Sequence, residues 1–329
     1  MNWLTWRQYR VEAFIGAFML VLLSVWLIFD GLVQRGVSSI LDGGTICLAS
    51  CSSPRVELEL FGEGIALNVI PFWLPLLIAV FIGVPLVARE CESRGNYLAW
   101  TQSITRTRWL AVKLSWVGGI TLLAFLVICA FNTWSSAPEL APAMGTAYHT
   151  YLSWGLYDYT GFVPIGLACF GLMLGVALGT MLRRTLPAMA LTLLLFLLFN
   201  QMMHVVYPYL IPPQSQVFPA TFGANLERGS LELYDRYVDS QGRETQGFNG
   251  YCVSPLVGNQ CGSELQALMA YCGSRAVDQC VQDHHLRLEA IYQPPERFWL
   301  LQAAETGLLL ALAAVLVPFT FWWLRKRIC

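Results

Sequence analysis

Leu110 to Phe131 reads LAVKLSWVGGITLLAFLVICAF, with Lys113 near its start as the single charge. A helix needs about 20 mainly apolar residues to cross the hydrocarbon core. A barrel strand is about half as long and alternates in polarity, which this run does not. The stretch therefore predicts a membrane-spanning helix. Five further runs have the same character: Val11–Val33, Ala66–Ala88, Gly161–Leu182, Leu186–Val206 and Phe298–Leu324. The first follows Arg7 and Arg10 as a signal peptide would, but no small-x-small cleavage site follows Phe29, so it is expected to be retained.

Composition agrees with six spans. Of the 329 residues, 56% are hydrophobic and only 12% charged, against about 25% charged in a soluble globular domain. Too few charges remain to cover a water-facing surface. Twenty basic residues against 21 acidic leave a net charge of −1, so there is no basic excess with which to bind nucleic acid. The expected fold class is all-α integral membrane.

Six spans place both termini on one side, and charge selects which. With the N-terminus inside, the cytoplasmic segments hold Arg7, Arg10, Arg89, Arg94, Arg106, Arg108, Lys113, Arg183, Arg184, Arg325, Lys326 and Arg327. These lie in short segments close to the span ends, where the positive-inside rule applies. Both termini are therefore expected to be cytoplasmic.

Cysteine sorts the same way. Cys47, Cys51, Cys252, Cys261, Cys272 and Cys280 fall in the loops that this topology places outside, whereas Cys91 and Cys329 fall inside. Six cysteines on an oxidising side predict up to three disulfides, with the inner two free. The spacing of the four between 252 and 280 lacks the close C-x2-C pair of a zinc site, so no metal is expected. The long segment 207–297 opens and closes with prolines and has the composition of a soluble domain. Within it, Ser263–His285 is a candidate helix. At the other end of the chain, Trp3, Trp6 and Tyr9 suit a helix in residues 1–10 lying in the membrane interface and in contact with lipid.

No P-loop, zinc-protease motif or nucleophile elbow occurs in the chain. No catalytic residue is expected, and no cofactor in this chain. Ionisable groups within spans are scarce and invite a functional question. Glu305 lies well inside the last span, and Asn200, Gln201 and His204 make one end of the fifth polar. Glu305, Asn200 and Gln201 are the candidate pathway residues, set against the alternative of a structurally satisfied buried carboxyl. Gly171, Gly175 and Gly179 recur every four residues in the fourth span, spacing that lets helix backbones approach closely.

Between the second and third spans runs ARECESRGNYLAWTQSITRTRWL, from Ala88 to Leu110. It is too long for a tight connection and mixes charges with Tyr97, Leu98, Trp100 and Ile104. Such a segment suits an amphipathic helix with one face free for a partner. The run resembles the membrane permeases of type-2 ABC exporters found widely in actinobacteria, with Asn96 standing where members usually carry threonine. Two other parts look like the same family: Trp3-Leu4-Thr5-Trp6-Arg7-Gln8, and Tyr292-Gln293-Pro294 through Arg297-Phe298-Trp299 to Glu305.

The resemblance implies a six-helix half-transporter with an N-terminal connecting helix (1–10), spans one to five (11–206), a coupling helix (89–109), an external loop domain (207–297), and a last span with its basic tail (298–329). It implies that Glu90, Glu92, Gly95, Tyr97, Trp100, Thr101, Gln102, Ser103, Thr105 and Arg106 contact a separate ABC ATPase subunit, which would hold the ATP and magnesium. A second permease chain would complete the unit, and the external loop resembles the one that caps the path in G-type exporters. Two other functions stay open: a membrane sensor or resistance module whose external domain binds a ligand, and an ATPase-independent membrane enzyme or channel.

Overall fold

The computed structural model describes residues 21–29, 31–32, 73–92, 105–135, 152, 156–219, 226, 230–238, 244–250 and 287–326. Residues 21–29 are helical and form α1. There follow α2 (Trp73–Glu92), α3 (Arg106–Ser135), α4 (Leu156–Tyr159), α5 (Val163–Leu182), α6 (Thr185–Val206) and α7 (Phe298–Lys326). Between α6 and α7 lie β1 (Gln214–Pro219), β2 (Leu231–Val238), β3 (Glu244–Gly250) and β4 (Arg287–Gln293).

Among the described residues five helices, α2, α3, α5, α6 and α7, are long and apolar enough to span a membrane. Six were expected; of the first, Val11–Val33, only residues 21–29 and 31–32 are described. The expected interfacial helix at 1–10, the candidate helix Ser263–His285 and the six cysteines expected to pair lie outside the described residues.

The chain divides into two compact units: Met1–Met144 with Tyr157–Val205 and Gln302–Cys329, and Gly145–Leu156 with Val206–Leu301. In the first unit α5 is the central helix. Its span is 78% buried, against 17% for α6 and 22% each for α3 and α7. Those outer helices turn Leu123, Leu186 and Val315 outward at 63–79% exposure, an apolar face suited to hydrocarbon or an apolar partner.

Glycine lets α5 sit at the centre. A Cβ added to Gly175 would lie 2.2 Å from the Ala79 carbonyl oxygen of α2, closer than any real contact. The Gly171, Gly175 and Gly179 repeat thus packs against α2 within the chain. Opposite it α2 widens to a π-helical turn over Ala79–Gly83, closed by the Val84 N–H donating to Ala79 O at 3.2 Å. Such turns insert a residue where the regular helix would not fit. Buried hydroxyls on three helices bond back to their own backbone: Thr180 to Ala177 O, Thr192 to Ala188 O and Thr320 to Leu316 O, all at 2.7 Å.

Helices α5 and α6 are joined by two residues. Arg183 adopts φ 56, and its N–H donates to Gly179 O at 3.1 Å. This left-handed cap ends one helix and reverses the chain for the next.

In the second unit the four strands form one antiparallel sheet in the order β1-β4-β2-β3. The central strand β4 buries Leu288, Ala290, Ile291 and Gln293. Opposite one another in register, Arg236 and Glu289 pair with Nε to Oε2 at 2.7 Å. The Gln293 amide donates to Pro208 O and Ile211 O at 2.7 and 2.8 Å, tying the end of β4 to the turn after α6.

Candidate functional site

The first unit carries polar side chains at both ends of its bundle. At the end holding the α5–α6 turn, α2 runs beyond its apolar part to Glu92 because its acidic residues find partners. The Lys113 ammonium of α3 donates to the Glu90 carboxylate and stands 4.5 Å from the centre of the Trp109 ring. Lys113 is 4% exposed. An ion pair this dry holds two helices in register, since removing one partner leaves a buried charge alone. Glu92 accepts from the Thr185 N–H at 3.1 Å and from its hydroxyl, so a carboxylate of α2 caps the N-terminus of α6. Orphan N–H groups and the helix dipole favour an anion there.

Trp109 is buried among Leu86, Val87, Leu110, Val176 and Leu324. Trp109 is thus part of the core, with the Lys113 ammonium over its ring. Of the residues expected to meet an ATPase, Glu90, Glu92 and Thr105 are described, with Arg106 opening α3. Thr105 is exposed. Gly95, Tyr97, Trp100, Thr101, Gln102 and Ser103 lie outside the described residues. The described flanks of the 89–109 segment are thus fastened: Glu90 to α3, Glu92 to α6, and Trp109 among α2, α5 and α7. Cys91, expected as a free thiol, is disulfide-bonded, while Cys129 and Cys169 are free.

At the opposite end α4 brings a second cluster together. Gln302 of α7 is fully buried and makes three hydrogen bonds. Its Oε1 accepts from the Phe162 and Val163 N–H groups, each at 2.9 Å, and its Nε2 donates to Tyr157 O at 2.7 Å. It therefore caps α5 from another helix. Gly161 permits this: its φ is +67, and a Cβ there would stand 2.8 Å from Gln302 Oε1. The Gly161 N–H donates to Thr133 Oγ1 of α3 at 2.9 Å.

One turn along α7, Glu305 is 2% exposed and lies beside the Tyr157 side chain. Asp158 is 5% exposed. His204 Nδ1 stands 3.2 Å from Asp158 Oδ2, and Asn200 Nδ2 lies 2.9 Å from His204 Nε2. Burial first, then the negative charge of Glu305, raise the Asp158 carboxyl well above the ordinary carboxylate range. Two of the three expected pathway residues, Glu305 and Asn200, thus belong to one end of one bundle. Gln201 is exposed, because its neighbour Asn200 already takes the inward direction.

Sequence reasoning missed Asp158, Tyr157 and Gln302. Gln302 had a signal, since Gln302, Glu305 and Thr306 share a helix face at spacings of three and four. Asp158, a single acid in an aromatic-rich loop, had none.

Apolar spans packed around a glycine-bearing central helix, with polar groups gathered at the bundle ends, define a polytopic helical membrane protein. Residues 17–207, more than half of the chain, match the family described as ABC-2 membrane transporter related, and the chain belongs to that family. It is thereby a membrane subunit of the ABC transporter type. No curated protein and no solved structure gives a significant match.

Proposed function

We propose that the chain is the permease subunit of an ATP-driven exporter in the bacterial cytoplasmic membrane, paired with a second permease chain and driven by a separate ABC ATPase that holds ATP and magnesium. It would carry six spans, the first from Val11 to Val33, with both termini cytoplasmic. The external segment 207–297 would be stapled by disulfides among Cys252, Cys261, Cys272 and Cys280, with Cys47 and Cys51 bridged locally. The substrate class is hydrophobic or amphiphilic: a lipid, peptide or drug.

The observation that carries this reading is the way the 89–109 segment is held. Glu90 is tied to Lys113 on α3, Glu92 to Thr185 on α6, and Trp109 is buried against α2, α5 and α7. A partner that pushes on the segment moves α2 and α3 together, and α5 follows because the glycine contact with α2 leaves no slack. Tyr97 and Trp100 would anchor the ATPase, as buried aromatics dominate interface energies at roughly 2 kcal/mol or more each. Glu90 and Glu92, engaged within the chain, would then transmit force rather than bind. The test is reconstitution with an ABC ATPase that co-purifies with the chain: substrate movement that requires ATP and both subunits supports the proposal. ATP-independent flux through the permease alone would replace it with a channel.

A further inference from the structure

We propose that Asp158, His204 and Glu305 form a proton-binding site at the α4 end of the bundle, and that the packed arrangement holds at least one proton there that the opened arrangement releases to water. The three groups come from three elements, α4, α6 and α7. The side chains of Asp158 and Glu305 are more than nine-tenths buried; Glu305 Oε2 has no hydrogen-bond partner, and Asp158 Oδ2 faces His204 Nδ1 at 3.2 Å. An ionised carboxylate buried without a counter-ion is far less favourable than its neutral acid.

Among the described residues of this unit no lysine or arginine pairs with them. The sequence has no Lys or Arg between Lys113 and Arg183, between Arg184 and Arg228, or between Arg297 and Arg325. The described parts of α3, α5, α6 and α7 near this end therefore bring no basic side chain other than His204. Around the cluster α4 adds Tyr157, α6 adds Asn200, α7 adds Gln302 and Thr306, and α3 and α5 add no ionisable oxygen or nitrogen.

The imidazole does not supply the missing charge. If Asn200 Nδ2 donates to Nε2, the single ring N–H sits on Nδ1 toward Asp158. The ring is neutral in this arrangement. If the cluster takes up a proton on the Asp158–His204 pair, the pair becomes a protonated acid beside a neutral ring, or a carboxylate beside an imidazolium. Either form is net neutral. Glu305 close by favours such uptake, because two adjacent carboxylates resist ionising together. Among the described residues no three His, Cys, Asp or Glu side chains have metal-ligand geometry, which favours a proton over a metal ion. The raised range of the Asp158 carboxyl agrees with the same geometry.

A carboxyl group that binds its proton more tightly in the folded state makes stability fall as pH rises from its ordinary range toward its folded one. The experiment is thermal unfolding of the full chain in lipid nanodiscs from pH 5 to pH 8, with protons alone as the probe. Each proton held only by the folded state raises the unfolding constant about tenfold per pH unit across that window. Glu305→Gln and Asp158→Asn should each flatten the fall seen for the native chain. A second measurement covers poor folding of either variant: the infrared carbonyl band of a protonated carboxyl at neutral pH should be present in the native chain and weakened in the variant that folds. Equal pH slopes in the native chain and both variants, or absence of that band with no imidazolium signal from His204 in its place, would overturn the site. So would stabilisation by calcium or zinc at fixed pH that both variants abolish, since the cluster would then be a cation site.

Discussion

The two ends of the transmembrane bundle handle carboxylates in opposite ways. At the α5–α6 turn, Glu90 has Lys113 and Glu92 has the N-terminus of α6. At the α4 end, Asp158 and Glu305 are buried, with Asp158 facing only a histidine ring among the described residues and Glu305 Oε2 unpartnered. The first arrangement suits a joint that must keep its shape while a partner acts on it. The second keeps titratable groups away from fixed charge, as the proposed proton site requires. Between them α5 runs the length of the bundle in close contact with α2.

The comparison is broken most readily at the paired end. Lys113→Met leaves Glu90 without its cation, at an expected cost of about 3–5 kcal/mol. Glu90→Gln with Lys113→Met together should cost much less than Lys113→Met alone. Melting of the purified chain reads both, and an additive double variant would mean the pair does not bind the two helices.

Next in size is the cap at the opposite end. Gln302→Leu strands two buried N–H groups of α5 and should cost about 2–3 kcal/mol. Glu92→Ala removes a solvent-exposed cap and should cost distinctly less. The reverse order in a melting comparison would contradict the assignment of Gln302 as the buried fastening.

The contact between α5 and α2 comes third. Gly175→Ala drives a methyl against the Ala79 carbonyl and should destabilise by about 1–3 kcal/mol, whereas Gly119→Ala, with open space around it, should be neutral or slightly stabilising. If Gly175→Ala melts like the native chain, α2 and α5 are not in rigid contact.

The smallest effect lies in the sheet. The Arg236 guanidinium beside Glu289 holds its carboxyl below the usual range. Its contribution is therefore present above the ordinary carboxylate pKa and is lost as pH falls through the lowered one, the opposite direction to Asp158. At about 0.5 kcal/mol for a pair so near the surface, Arg236→Gln should slightly reduce the acid sensitivity of the sheet in hydrogen exchange. Unchanged exchange would make the pair incidental.

The spans were legible because run length and apolarity are local. Gly161–Leu182 was expected and Val163–Leu182 is found; Phe298–Leu324 was expected and Phe298–Lys326 is found. The second span was expected to end at Ala88, yet its helix runs to Glu92. Its last turn is charged, and the partners that tolerate those charges, Lys113 and Thr185, lie 23 and 93 residues away. The sheet went unread although Leu231–Val238 and Arg287–Gln293 carry partial alternation, because the strands are short and β4 pairs with β1 some 70 residues earlier. Glu305 and Asn200 were visible as polar residues within apolar runs. That they share a cluster with Asp158 depends on packing among three elements, which no spacing encodes.

The central claim is that force enters through the 89–109 segment, and the most direct measurement is recovery of the ATPase with the purified permease. Trp100→Ala should insert in the membrane normally yet retain at least tenfold less ATPase, a loss of roughly 2 kcal/mol or more. Trp154→Ala, an aromatic in the segment between α3 and α5, should retain it fully. Equal recovery with both variants, whether complete or lost, would contradict the coupling assignment and with it the proposed ATP-driven permease.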